Sequence, residues 1–120
     1  SAQAGGGSIV AMLDIHALDL PRHTHAAYEM SKAALAAMVR SLSRDLAPKC
    51  RVNGVSLGVA AWPKNGPESE PELQKRYLAR IPLGRSGTPK DAAKAVAFLA
   101  IDAGYTTGHV LCVDGGRSLM

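Results

Sequence analysis

The chain has 120 residues, enough for one modest domain and too few for two, with 47% hydrophobic and 20% charged residues. That balance excludes disordered and collagen-like chains, and no apolar run is long enough to cross a bilayer. The net charge of +4 is spread over scattered residues such as Arg22, Arg40, Arg44, Lys49, Arg51, Lys75 and Arg76, so no basic tract points to nucleic acid. Only 4% of the chain is aromatic, so alanine and aliphatic side chains must build the core. Helices packed on a sheet suit that better than a small all-β barrel. Cys50 and Cys112 stand too far apart for a disulfide framework or a zinc knuckle. The opening residues lack both parts of a signal peptide, and the expected location is the reducing cytoplasm.

After the glycines at 5–7, Ser8 to Leu13 is a short apolar run without alternation, which predicts a strand buried on both faces. Asp14 to His25 is polar, contains Pro21 and is expected to be a loop. Ala26 to Ala47 is free of Gly and Pro, rich in Ala, Leu, Met and Arg, and predicts a long helix that stops near Pro48. Arg51 to Gly58 alternates and predicts a second strand; residues 59–70 carry Pro63, Gly66 and Pro67 and form a loop. Pro71 to Arg80 predicts a short charged helix with proline at a first helical position. Thr88-Pro89-Lys90-Asp91 supplies an N-cap for a helix reaching about Ile101. His109 to Val113 predicts a third strand, closed by Asp114-Gly115-Gly116. Strands alternating with helices imply a parallel sheet, right-handed crossovers and an α/β fold. Three strands make one half of a doubly wound sheet.

The long helix carries the chemistry. At about 100° per residue, Tyr28, Lys32, Leu35, Val39, Leu42 and Leu46 share one face, with the apolar four turned to the sheet. A lysine on such a face is costly unless its charge is held. Near a tyrosine hydroxyl, an ammonium favours the phenolate and lowers a pKa that starts near ~10, which would make a proton donor at neutral pH. Spacing alone also fits a snorkelling tyrosine and a lysine that reaches water past the helix end.

Tyr28-Glu29-Met30-Ser31-Lys32-Ala33-Ala34-Leu35, followed by Arg51-Val52-Asn53-Gly54-Val55 and Val113-Asp114-Gly115-Gly116 and preceded by Gly7-Ser8-Ile9-Val10, resembles the C-terminal half of the short-chain dehydrogenase/reductase family. The resemblance covers nearly the whole chain. It implies that residues 1–120 are the catalytic half of a doubly wound Rossmann domain whose N-terminal nucleotide-binding half lies elsewhere. It implies Tyr28 as proton donor, and Lys32 as the residue that binds the nicotinamide ribose and lowers the tyrosine's pKa. Leu57, Gly58, Val59 and Ala60 become cofactor neighbours by position, and NADPH the expected cofactor.

Asp14 stands where most members place a catalytic serine. That substitution resembles the pteridine reductase branch, as do Trp62-Pro63 and the closing Asp114-Gly115-Gly116-Arg117-Ser118-Leu119. The resemblance implies reduction of pterin-type rings, with Asp14, Tyr28 and Trp62 touching substrate. A carboxylate can accept from the donors of a pterin, whereas a ketone oxygen needs a hydroxyl partner. A carbonyl or 3-oxoacyl reductase and a non-catalytic assembly module are the other readings, and a capping aspartate is the structural alternative for Asp14. Three departures bear on this: one extra residue between Asp14 and Tyr28, Ala11 in place of an asparagine, and Leu57-Gly58 in place of Pro-Gly.

His16, His23 and His25, with Asp14 and Asp19, could ligate a transition metal, although the expected reaction needs none. Cys112 alternates inside the last strand and is expected in the core, while Cys50 lies at a helix-to-strand turn. Met30, Ala33, Ala34, Ala37 and Ser41 leave the far side of helix 26–47 uncharged. Family members resemble this by pairing that helix with its copy, so a homo-oligomer, up to a homotetramer, is expected.

Overall fold

The computed structural model describes residues 6–15, 26–59 and 70–120. In chain order these form β1 (Gly7–Asp14), α1 (Ala26–Leu46), β2 (Cys50–Leu57), α2 (Pro71–Ala79), α3 (Pro89–Ala97) and β3 (Val110–Val113). A π-helical turn, Phe98–Asp102, continues α3, and a 3-10 turn covers Arg117–Leu119. The expected order of elements is present, with strand ends shifted by a residue. The helix expected to run unbroken to Ile101 instead changes its winding at Phe98.

The three strands are parallel in the order β1-β2-β3. β2 pairs along its whole length with β1, and its last four residues pair with β3. Asp14, Leu57 and Val113 therefore stand side by side in one row across the C-terminal edge of the sheet. Strands lie ~4.8 Å apart, so this row is roughly 10 Å long.

As the central strand, β2 is covered on both faces, and Val52 to Ser56 are all buried. One face carries Val10, Val55, Leu57, Leu111 and Val113, packed against Ala95, Val96, Leu99 and Ala103 from α3 and the π turn. The opposite face carries Leu13, Val52 and Gly54; α1 packs on β1 and β2 there. A Cβ on Gly54 would meet the Leu13 Cδ1 at 2.8 Å, which explains glycine in mid-strand.

The two crossovers step the same way across the sheet from opposite faces, so they cannot have the same hand. The expectation of right-handed crossovers throughout fails for one of them. The face of α1 is also rotated from the expected stripe. Val39 and Ser43 are its buried residues, whereas Leu46 and Tyr28 are 36% and 44% exposed. Ser43 is buried because its hydroxyl bonds back to the Arg40 carbonyl at 2.7 Å. Cys112, expected in the core, is exposed: it lies on an edge strand, beyond the two strands that α1 packs on.

Two polar side chains tie the second crossover together. Arg51 Nη1 donates to the carbonyls of Leu99 and Ala103 at 2.8 and 2.7 Å, and Nη2 to that of Ala100 at 3.0 Å. These are the orphan acceptors at a helix C-terminus, where a cation also meets the negative end of the helix dipole. Asn53, fully buried, donates from Nδ2 to the Thr106 carbonyl and accepts the His109 N–H on Oδ1, both at 3.0 Å. At its start, α3 has a capping box in which Thr88 and Asp91 satisfy each other's backbone N–H groups. Arg85 adds an ion pair to Asp91 at 2.9 Å. The Arg85 hydrogen bond leads the causes that hold the Asp91 carboxyl down at about 2.

Candidate functional site at the C-terminal edge of the sheet

Asp14 ends β1, and Tyr28 is the third residue of α1. The Tyr28 hydroxyl donates to Asp14 Oδ2 at 3.2 Å. The extra residue between them is thus absorbed without separating the pair. Lys32 follows one turn later and donates from Nζ to the Met12 carbonyl at 3.0 Å, with its ammonium 6.0 Å from the Tyr28 ring centroid. A backbone carbonyl near the end of β1 therefore holds the charge that the helix face could not bury unaided. The half-exposed tyrosine leaves its ring open to a ligand from the solvent side.

A phenol hydroxyl has one hydrogen, and here it is donated to the carboxylate. Any substrate protonated by Tyr28 must either displace Asp14 from that hydrogen or receive the proton through it. This differs from a serine partner, which could donate and accept at once.

The end of β2 supplies the neighbouring wall. Leu57 packs into the core cluster, Gly58 N donates to the Val113 carbonyl at 3.0 Å, and the Val59 carbonyl accepts from Gly87 N at 2.9 Å. A Cβ on Gly58 would lie 2.9 Å from the Asp114 Cβ, so glycine here permits close approach to the end of β3. Ala60 and Trp62 lie outside the described residues, as do His16, Asp19, His23 and His25. Among the described residues no cluster of three or more His, Cys, Asp or Glu side chains could hold a metal, and no helix is long and apolar enough to cross a membrane.

Beyond β3, Asp114 organises the turn. Its Oδ1 accepts from Gly116 N at 2.9 Å and its Oδ2 from Ser118 N at 2.8 Å. Burial pushes its pKa up, but the bonds from Ser118 and Gly116 outweigh that and leave it below the ordinary carboxylate value. The turn carries Arg117, which is 9% exposed and stacks 4.7 Å above the Tyr77 ring of α2. Arg117 stood in the closing motif that follows the last strand, but nothing in the sequence marked it as buried. Arg51 and Asn53 stood in a recognised motif, but their partners lie about fifty residues away and no local spacing could identify them.

Comparison with known proteins matches residues 1–118 to the family described as enoyl-(acyl carrier protein) reductase. The chain is 39% identical to the protein FixR of Bradyrhizobium diazoefficiens, over 98% of this chain and 41% of that protein. It is 41% identical to an L-rhamnose 1-dehydrogenase (NAD(P)(+)) of Azotobacter vinelandii, over 95% of this chain and 45% of that one. The fold superposes on the aldohexose dehydrogenase of Thermoplasma acidophilum with a TM-score of 0.87 and 31% identity, covering 99% of this chain and 51% of that structure. The chain thus spans about half or less of the proteins it matches. With its parallel sheet, its Tyr28–Lys32 helix and these similarities, the chain belongs to the short-chain dehydrogenase/reductase family.

Proposed function

We propose that the chain supplies the proton-handling half of an NAD(P)-dependent oxidoreductase that interconverts a carbonyl and an alcohol on a small molecule. The observation that carries this reading is the placement of Tyr28 and Lys32 one turn apart at the C-terminal sheet edge, with Lys32 anchored to the Met12 carbonyl. Similarity to sugar dehydrogenases, one of them with NAD(P)(+) in its name, supports carbonyl–alcohol chemistry. In this reading Tyr28 passes the proton to and from the substrate oxygen, and Lys32 keeps positive charge beside it. Asp14 holds the hydroxyl in place between turnovers.

The residues fit one end of a dinucleotide. Lys32 and the backbone of Leu57–Val59 would hold its nicotinamide ribose, while a helix-opening glycine loop for the phosphates is not in the sequence. When bound, the cofactor supplies the hydride. The phosphate-gripping half would add its strands beside β1, the strand edge nearest to Asp14 and Tyr28. Pairing of two copies through the outer face of α1 is supported by exposed Met30, 71% accessible, and Met38. Two free thiols, Cys50 and Cys112, suit a reducing compartment.

A second reading, reduction of pterin-type rings with NADPH, rests on Asp14 as the hydrogen-bond partner of Tyr28. None of the relatives described above is a pteridine reductase, and the carbonyl reading has the broader support. The deciding experiment assays the intact protein with NADPH and NADH against dihydrobiopterin and a panel of aldoses and ketones. Turnover confined to the carbonyl panel is expected. Turnover of dihydrobiopterin alone would replace the first reading with the second, and an active Tyr28→Phe variant would remove both.

A further inference from the structure

Among the described residues, Ser56 and Arg117 carry buried side-chain polar atoms without a hydrogen-bond partner, and of the two Arg117 is the charged one. Its side chain is more than nine-tenths buried, and Nε and Nη1 are both inaccessible to water and without a hydrogen-bond partner. A guanidinium stays charged at any physiological pH, and a buried donor left unpaired forfeits its full desolvation cost. The Tyr77 ring at 4.7 Å covers one flat face, and with Nε and Nη1 closed to solvent, Nη2 is the in-plane donor left for an acceptor.

The arginine is also firmly placed. Arg117 N donates to the Asp114 carbonyl at 3.1 Å, both Asp114 carboxylate oxygens grip the same turn, and Gly116 takes a left-handed conformation with φ 90°. Asp114, the carboxylate closest in sequence, is thus committed to backbone N–H groups. The remainder of a doubly wound domain would join beside β1, two strands away, so it is poorly placed to reach Arg117. Arg117 follows four residues after Val113, the far end of the row that begins at Asp14. Ligands of open α/β sheets bind along this edge.

We propose that Arg117, backed by Tyr77, binds an oxyanion on the small molecule that Tyr28 acts on: a carboxylate, sulfonate or phosphate group. The proposal rests on the reading of Tyr28 given above and adds the substrate class, an anionic carbonyl or alcohol whose charged end lies across the sheet edge from its reacting oxygen. A single charge-assisted, in-plane contact would select such molecules over neutral ones.

The test titrates the intact protein with inorganic sulfate against chloride at matched ionic strength, following the Nε–Hε resonance of Arg117. A saturable shift with sulfate is expected. In Arg117→Met the binding should weaken on the order of tenfold or more, with Arg117→Lys between the two. Tyr77→Phe should bind like the parent, while Tyr77→Leu should lose severalfold. Sulfate should also compete with an anionic carbonyl substrate, a ketone carrying a carboxylate or sulfonate, assayed beside the neutral panel. No saturable response, an equal response in Arg117→Met, or binding that does not compete with substrate would each overturn the proposal. So would an Arg117→Met variant that alters only the sedimenting mass, since the acceptor would then belong to another subunit. Failure of the underlying reading looks different: Tyr28→Phe would remain active while the sulfate titration was unchanged.

Discussion

The two helical layers on this sheet are finished to different degrees. On the α3 side, Val55, Leu99 and Ala103 are buried and Arg51 satisfies the carbonyls at the end of the helix. On the α1 side, Met30 is 71% exposed, Tyr28 is half exposed, and β1 presents an edge with no partner strand among the described residues. The first region holds itself together from its own side chains. The second holds the candidate chemistry and leaves its surfaces open to other molecules. Stability and activity should therefore separate by layer, and mutations in one should leave the other's property largely intact.

The largest expected effect falls on the open side. Tyr28→Phe should lower turnover by ~10²–10⁴, the usual worth of a positioned proton donor, while urea unfolding stays within about 0.5 kcal/mol of the parent. Coupled losses in both would break the separation. On the closed side, Arg51→Met leaves several carbonyls without a donor and should cost about 3 kcal/mol or more in stability. Leu99→Ala, at a site 1% exposed, should cost about 3 kcal/mol through the cavity it opens. Met30→Glu should change monomer stability by less than about 0.5 kcal/mol yet reduce the sedimenting mass. An unchanged mass would show that the outer face of α1 is not the contact between copies.

The smallest effect concerns pH. Asp91 is held at about 2 in the fold, mainly by its hydrogen bond to Arg85, against an ordinary value of 3.8. A depressed carboxylate adds stability that is fully present above its unfolded pKa and lost as pH falls through the folded value. The cap of α3 should thus hold above about pH 4 and weaken as the pH drops toward 2. Chemical shifts of the Asp91 carboxyl and of the amides of Thr88 and Asp91 would follow that loss.

These residues also show what the sequence could convey. The capping box was legible because Thr88 and Asp91 are three residues apart, and the Tyr28–Lys32 pair because four residues make one helical turn. The parallel sense of the strands followed from the alternation of elements. Arg51 and Asn53 act on acceptors near residues 99–106, and only the closed second crossover brings them together. Cys112 was misplaced because an alternating strand does not reveal whether it is an edge. Leu46 was misplaced because the stripe on α1 turns toward Ser43, whose self-bonded hydroxyl makes it behave as a small apolar residue. The substrate was least legible, since the family resemblance transfers Tyr28 and Lys32 but leaves the ligand of Arg117 open.

The turn after β3 has a mechanical consequence. A Cβ on Gly116 would strike the Pro82 ring at 2.9 Å, and one on Gly115 would strike Ile81 at 2.8 Å, while Leu83 N donates to the Gly115 carbonyl at 3.0 Å. The segment that leaves α2 is therefore clasped to the sheet at three consecutive residues. Any tilt of α2 has to pivot about that clasp, so its Pro71 end sweeps the wider arc while its Arg80 end stays with β3. Loosening the clasp, as Gly116→Ala would, should widen that arc, and the orientation of Tyr77 over Arg117 would be the first thing to drift.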